Sequence, residues 1–387
     1  MTAAARAPAA PPPAQDRDER WDERLMEAAL SLGRRNLGQT FPNPAVGALI
    51  VRFENGQPVI IARGFTARGG RPHAETEAVR IAGEAARGAT TFVTLEPCAH
   101  HGKTPPCADA IIGAGITRAV VAIEDPNPQV KGQGIAKLRA AGIDVTIGPG
   151  ADEARIAHAG HFRRMTDGRP HVILKIAVSA DGKSGLAGRR PAQISGPESR
   201  DEAHMLRATS DAVLVGSGTA IADDPLLTCR LPGMADRSPI RVVLDGQLRT
   251  PPDSRLARTA REVPLWLIGT ADAPAEAERR LLDAGADVLR TQARADGRVD
   301  PLAALQLLSA RGISRVLVEG GPMLSAALVE ADLVDEAVIV RPPRTLGADA
   351  LAALEGLPLA ALTESPRLAV IEERMAGVDR LTRLFRS

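Results

Sequence analysis

Residues 73–107 read HAETEAVRIAGEAARGATTFVTLEPCAHHGKTPPC, a stretch that brings one imidazole (His73), two thiols (Cys98 and Cys107) and a carboxylate (Glu75) close together in sequence. A zinc ion held by one imidazole nitrogen and two thiolates keeps a fourth tetrahedral position for water, whose pKa falls towards neutrality there. Glu75 lies two residues from the histidine, too close in sequence to be a relaxed second ligand, and suits proton transfer between that water and a leaving amine. An isolated buried cysteine usually packs as a small hydrophobe, and a lone histidine is usually a satisfied polar group. Here two of the chain's three cysteines fall beside His-Ala-Glu, which favours the metal. A closed structural site, completed by His100 or His101 as fourth ligand, is the alternative.

Around this stretch the local grammar is that of an α/β unit. Pro72 is a helix starter, and residues 74–86 predict an Ala/Glu-rich helix. On an ideal helix His73 and Glu75 would point about 200° apart, so the histidine must lie in the first, irregular turn. Residues 90–95 predict a strand that ends in Glu96-Pro97-Cys98, and Pro105-Pro106 prevents helix upstream of Cys107 but permits one to start there, running over 108–113. The helix N-terminus is expected to lower the pKa of the Cys107 thiol. These elements match the zinc nucleobase deaminase signature except in one respect, that eight residues rather than two separate the cysteines. Lys103 and Thr104, in the loop between the cysteines, are placed to contact a polar or phosphorylated substrate, or else form a solvated charged loop.

Upstream, residues 21–32 carry Leu25, Met26, Ala29 and Leu30 at helical spacing. Asn43 stands between Pro42 and Pro44 at the entrance to a strand over 46–51, where its amide meets a heterocycle edge or closes an Asx turn. A second strand is expected around residues 59–62. Downstream, a strand over 119–123 leads into Glu124-Asp125-Pro126-Asn127-Pro128, polar groups at a strand's C-terminal end. A helix over 135–141 and a strand over 143–147 complete a βαβ series of about 150 residues.

Asn43, His73-Ala74-Glu75, the run from Glu96 to Cys107 and Asp125-Pro126-Asn127-Pro128 closely resemble the deaminase half of the RibD family of bifunctional riboflavin biosynthesis proteins. That family shows the long loop between the cysteines. The resemblance implies that His73, Cys98 and Cys107 bind zinc, that Glu75 is the proton donor, and that His100 and His101 are not ligands. It also makes Asn43, Lys103, Thr104 and Asn127 candidate substrate contacts.

Residues 151–168, with His158 and His161, predict a helical connector. Beyond it a strand over 171–178 turns at Ser179-Ala180-Asp181-Gly182, and a strand over 211–215 runs into Gly216-Ser217-Gly218-Thr219. That glycine pattern is not the six-residue Rossmann fingerprint and by itself says little. Glu319-Gly320-Gly321-Pro322, between a strand over 314–318 and a helix over 323–330, says more. Unpaired N–H groups and the helix dipole make such a turn an anion site, unless the glycines serve only packing. Glu319 is placed for sugar hydroxyls. Strands over 241–244 and 337–340 and helices over 275–284 and 302–311 extend a second α/β sheet. A domain with phosphate-type turns but no metal cluster fits a nucleotide cofactor doing hydride chemistry.

This half resembles the NADPH-dependent, dihydrofolate-reductase-like domain of the same family at Arg169-Pro170, Lys175, Ser179 to Gly182, Leu206-Arg207-Ala208, Ser210 to Thr219, Ala222 to Pro225, Leu227-Thr228, Arg230 and Val318 to Gly321. The resemblance implies NADPH contacts at Val178, Thr219, Asp223, Gly321, Pro322, Met323 and Leu324. It implies substrate contacts at Arg207, Leu227, Arg230 and Glu319, the two arginines being suited to a sugar phosphate. Gln193-Ile194-Ser195-Gly196 stands where many members have Trp-Ile-Thr-Ser, so an aromatic wall beside the cofactor is missing.

The expected architecture is α/β: a cytidine-deaminase-like three-layer domain over 19–150 and a dihydrofolate-reductase-like domain over 169–387, with a disordered Ala/Pro-rich leader over 1–18 and the connector over 151–168. The expected activity is zinc-dependent deamination of a phosphorylated diaminopyrimidinone, followed by NADPH-dependent reduction of its ribosyl group. A net charge of +1, the absence of tyrosine and aromatic residues at 2% argue against nucleic acid as a partner. No run of eighteen apolar residues or signal peptide is visible, and cysteines are few, so a soluble, cytoplasmic homo-oligomer acting on a small molecule is expected. Two rivals are a nucleotide or tRNA deaminase with an appended binding domain, and an interaction protein built on structural zinc.

Overall fold

The computed structural model describes residues 19–102, 105–190 and 193–386. The expected leader, residues 1–18, and the candidate contacts Lys103 and Thr104 lie outside the described residues. The chain forms two compact units. One comprises the described chain up to Asn36 together with Asn43–Phe162, the other Leu37–Pro42 together with the chain from Arg163 onward.

The first unit is a sheet between two helical layers. Strands β1 (Gly47–Glu54), β2 (Gln57–Phe65), β3 (Thr90–Val93), β4 (Arg118–Val121) and β5 (Asp144–Ile147) lie in the order β2-β1-β3-β4-β5. β1 is antiparallel to both neighbours, and β3, β4 and β5 are parallel. The helices are α1 (Glu19–Arg34), α2 (Ala74–Ala82), α3 (Cys107–Gly113), α4 (Gln133–Ala140) and α5 (Ala151–Ala157). Strand alternation sorts the core. Leu49 and Val51 pack with Met26, Ala29 and Leu30 of α1 and Ala154 of α5. Ala48 and Ile50 pack with Ala74 and Ala78 of α2, Ile111 of α3 and Leu138 of α4. At Gly64 a Cβ would lie 2.1 Å from the carbonyl oxygen of Ala74, so only glycine lets the first turn of α2 press onto β2.

The expected connector is helical, as α5 followed by α6 (Ala159–Asp167), and α5 contributes Ala154 to the first unit's core.

The second unit holds β6 (His171–Ala177), β7 (Lys183–Gly185), β8 (Ala212–Gly216), β9 (Ile240–Leu244), β10 (Leu265–Thr270), β11 (Asp287–Thr291), β12 (Arg315–Val318), β13 (Glu336–Arg341), β14 (Leu351–Ala352), β15 (Leu368–Ala376) and β16 (Asp379–Arg386). Nine strands make one sheet in the order β11-β10-β9-β8-β12-β6-β13-β16-β15, while β7 and β14 form a separate ribbon. The sheet is parallel from β11 to β13 and antiparallel across β16 and β15. Both faces are covered, since Val172, Leu174 and Ile176 enter one core cluster and Ile173 the other. The strands β10 and β11 and the closing hairpin β15–β16 are additions to the sequence-based outline.

One topological fact positions the second site. β8 and β12 are adjacent and parallel, with Leu214 opposite Val318, yet the chain leaves β8 towards β9 on one side and β12 towards β13 on the other. Their C-terminal ends therefore flank a switch point, where open α/β sheets bind ligands. The helices that follow them are, in chain order after α7 (Pro197–Ala208), α8 (Ser217–Asp223) and, beyond α9 (Arg255–Arg258), α10 (Ala275–Asp283) and α11 (Pro301–Ala310), α12 (Pro322–Glu330).

Candidate active sites

In the first unit His73 is the residue before α2, in extended conformation, and Cys107 is the first residue of α3. Nδ1 of His73 lies 3.3 Å from Sγ of Cys107 and 3.8 Å from Sγ of Cys98. The three ligand atoms all fall within 4.8 Å of one another. A tetrahedral zinc with bonds of about 2.0–2.3 Å needs its ligand atoms roughly 3.5–4 Å apart, so two thiols and an imidazole so spaced fit the ion. His100 and His101 are exposed and do not join the group.

Glu75 sits one residue into α2, only 5% exposed. Burial pushes its carboxyl up to about 7, while the charge of His73 pulls the other way and that of Cys98 adds to the rise. A carboxyl so poised can hold or release a proton near neutrality, the property a general acid–base needs.

The expected lowering of the Cys107 pKa is not what the thiols show. Cys107 is raised well above its ordinary value, first by its hydrogen bond with Cys98 and then by burial, whereas Cys98 is lowered to about 4 by its bond with Cys107. The two thiols face each other, and the hydrogen bond between them is the first cause of both shifts. The N–H of Cys107, the free donor at the start of α3, adds to the lowering of Cys98 by donating to its Sγ at 3.3 Å.

Asn43 donates from Nδ2 to the carbonyl of Gly70 at 2.8 Å and approaches Nε2 of His73 at 3.4 Å, so it touches the ring whose other nitrogen faces the sulfurs. Asn127 is half-buried, its Oδ1 accepting from the N–H of Gln129 in an Asx turn. What holds its loop was not read from the sequence. Glu96, 3% exposed, accepts four backbone N–H bonds, from Asp125 and Gly132 at one oxygen and from Gly134 and Ile135 at the other, over 2.9–3.2 Å. Asp125 in turn accepts from the N–H of Asn127 at 2.8 Å and faces Nε2 of His161 at 2.9 Å. Gly134 has no room for a Cβ, which would lie 1.9 Å from the carbonyl oxygen of Pro97. The signal available was an acidic residue at a strand end facing two glycines in an adjacent loop.

The second unit's site has two parts. Arg207 on α7 and Glu319 after β12 are joined by bonds of 2.6 and 2.8 Å, and a third N–H of Arg207 reaches the carbonyl of Thr228 at 3.0 Å. Burial alone would raise Glu319, but the charge of Arg207, its hydrogen bonds and Lys175 hold it below the usual range. Lys175, quoted in the sequence only as a match, is drawn into this cluster with its pKa lowered by burial. Arg230 is exposed, its N–H 3.4 Å from Nδ1 of His204, and Leu227 is buried at φ +55°.

The other part is a cavity of about 450 Å³ at the switch point, lined among others by Gly216, Gly218, Thr219, Asp223, Gly321, Pro322, Met323 and Leu324. Oγ1 of Thr219 accepts from the N–H of Gly321 at 3.1 Å and ties the two turns together. A Cβ on Gly216 or Gly218 would meet nothing within 4 Å among the described residues, which leaves the backbone there open to a ligand. These features fit a dinucleotide's pyrophosphate. Of the expected cofactor contacts, Val178 alone is not part of this lining, since its side chain is buried in the core.

Residues 19–123 match the family described as the cytidine and deoxycytidylate deaminase zinc-binding region, and residues 170–374 match the RibD C-terminal domain. The riboflavin biosynthesis protein RibD of Escherichia coli strain K12 is 40% identical over 371 residues, spanning 92% of this chain and 97% of that protein. That of Haemophilus influenzae is 37% identical, spanning 92% and 95%. The chain belongs to the RibD family. Solved structures agree. Acinetobacter baumannii RibD superposes with a TM-score of 0.83 at 36% identity, over 96% of this chain and 100% of that one. A Thermotoga maritima diaminohydroxyphosphoribosylaminopyrimidine deaminase/5-amino-6-(5-phosphoribosylamino)uracil reductase gives 0.80 at 33%, over 95% and 99%. The expected fold class stands, with a cytidine-deaminase-like unit ahead of the RibD reductase fold.

Proposed function

We propose that this RibD-family chain is a bifunctional enzyme of riboflavin biosynthesis. It hydrolyses the C2 amine of 2,5-diamino-6-ribosylamino-4(3H)-pyrimidinone 5′-phosphate and then reduces the ribosyl group, giving 5-amino-6-ribitylamino-uracil 5′-phosphate. The observation that carries the first activity is a buried carboxyl, Glu75, poised near neutrality beside a His73–Cys98–Cys107 triangle of zinc dimensions.

When bound, zinc supplies the Lewis acidity that makes water nucleophilic near neutral pH. Glu75 takes the proton that water gives up on attacking C2 and returns it to the departing amine, so water is consumed and ammonia released. Asn43 orients the His73 ring and offers its amide to the pyrimidine edge. Asn127, on the loop anchored by Glu96, supplies a further polar contact, with Lys103 and Thr104 assigned to the substrate's polar groups.

NADPH, when bound in the second unit's cavity, supplies hydride. Thr219, Asp223 and the turn from Gly321 to Leu324 hold it, with Val178 contributing only through its backbone. Arg207, Leu227, Arg230 and Glu319 hold the open-chain sugar phosphate, the carboxylate fixing hydroxyls and Arg230 offering the less engaged guanidinium to phosphate.

We assign the deaminase to the first unit, the reductase to the second, and residues 151–168 to the junction. A cytoplasmic location agrees with three free cysteines, and no helix among the described residues is long and apolar enough to cross a membrane. A homo-oligomer agrees with the apolar side chains Val370, Ile371, Met375 and Val378 exposed along the sheet's edge hairpin. The experiment is to supply the diaminopyrimidinone phosphate and NADPH to the zinc-loaded protein and follow ammonia and NADPH together. Release of ammonia followed by NADPH oxidation supports the reading, and folded, zinc-loaded protein that releases none contradicts it.

A further inference from the structure

The reductase cavity carries a set of cations that hydride transfer does not use. Arg249, in the turn after β9, and Arg294 and Arg298, in the loop after β11, all line it. Arg249 donates from Nη2 to Oγ of Ser217 at 3.2 Å, which holds its guanidinium beside the open backbone of Gly216 and Gly218. The loop after β11 is a built element. Ala293 bridges to Val299, the N–H of Arg294 donates to the carbonyl of Arg298 at 2.7 Å, and Gly297 turns the chain at φ +77°.

Position in the sheet says which part of a dinucleotide these arginines meet. The groups around Glu319 and Lys175 belong to β12 and β6, whereas the arginines follow β9 and β11, three and five strands from β6 in the sheet order. At about 4.8 Å per strand that is roughly 14–24 Å, which suits the far end of an extended dinucleotide whose nicotinamide reacts near β6. Sites that take a free ribose 2′-hydroxyl place a carboxylate there, and sites that take a 2′-phosphate place arginine. Among the residues lining this cavity the acidic one is Asp223, on α8, and the β9–β11 side presents arginine.

We propose that Arg294 and Arg298 seat the 2′-phosphate of the cofactor's adenosine ribose and so set the preference for NADPH over NADH, with Arg249 held beside the pyrophosphate turn. The inference rests on the reading of this cavity as the dinucleotide site.

Calorimetric titration of the full chain with NADPH, NADH, 2′,5′-ADP and 5′-AMP, without substrate, tests both. Replacing exposed arginines is expected to leave the fold intact, which thermal unfolding of each variant checks. In the double variant Arg294→Ala, Arg298→Ala, affinity for NADPH and 2′,5′-ADP is expected to fall about ten- to hundred-fold, with NADH and 5′-AMP held within about twofold. Lysine at both loop positions is expected to restore part of the loss, because a point charge replaces the fork. Equal losses for NADPH and NADH, or an unchanged preference, would overturn the inference while leaving the cavity's assignment in place. Wild-type protein that binds none of the four nucleotides overturns the cavity reading and the inference together.

Discussion

Arg207 and Glu319 hold each other through two parallel hydrogen bonds, Nε to Oε1 at 2.6 Å and Nη2 to Oε2 at 2.8 Å, with both side chains about nine-tenths buried. A buried pair of this kind contributes little net stability, but loss of one partner strands the other's charge. Glu319→Gln is therefore expected to destabilise the second unit by about 3 kcal/mol in urea unfolding. It is also expected to abolish NADPH oxidation while ammonia release continues, because the deaminase groups lie in the other unit. A variant that is destabilised yet still oxidises NADPH at the normal rate would reduce the pair to a structural role.

Glu96 offers the corresponding test in the first unit. Its carboxylate accepts four N–H bonds from the loop that carries Asn127, and an amide in its place turns one acceptor oxygen into a donor that faces donors. Glu96→Gln is expected to lower stability by about 2–4 kcal/mol and to raise the deaminase KM more than it lowers kcat. The reductase reaction, given deaminated substrate, is expected to be unaffected. A kcat loss at constant KM would show that the loop does not serve substrate binding.

Why some of this was legible in the sequence and some was not follows from the range of the interactions. The zinc ligands announce themselves by residue type, and Pro72 and Pro106 fix where the helices beside them begin, so His73, Glu75 and Cys107 were locatable one by one. The thiol pKa values were not, because the donor that lowers Cys98 belongs to a residue nine positions away across the site. Glu96 and Lys175 escaped for the same reason: their partners come from other elements, at sequence distances that periodicity does not reach. β15 was missed because it is an edge strand whose Val370, Ile371 and Met375 are exposed, leaving no clean alternation to read.

His158 gives the first unit a pH dependence. Its ring is buried, with Nε2 at 3.1 Å from the carbonyl of Thr94 and Nδ1 without a partner among the described residues, and burial lowers its pKa to about 4. In the unfolded chain the same ring titrates near 6.5. The unfolded state therefore takes up a proton first as pH falls, so stability from neutral His158 is full above about 6.5 and is lost progressively towards pH 4. The loss is on the order of 3 kcal/mol over that window. In His158→Gln the slope of unfolding free energy against pH between 6.5 and 4 is expected to flatten, and an unchanged slope would assign the acid sensitivity to other groups.

In the proposed mechanism Glu75 moves the proton of the first reaction, and the second reaction waits on the first. The most direct measurement is NADPH oxidation by zinc-loaded Glu75→Gln, supplied first with the diaminopyrimidinone phosphate and then with its deaminated product, with zinc content measured beside it. Gln keeps the shape and the metal but cannot carry the proton. Full zinc, no ammonia and no NADPH oxidation are expected with the first compound, and NADPH oxidation near the wild-type rate with the second. Ammonia released by the variant at the wild-type rate would show that Glu75 does not carry the proton.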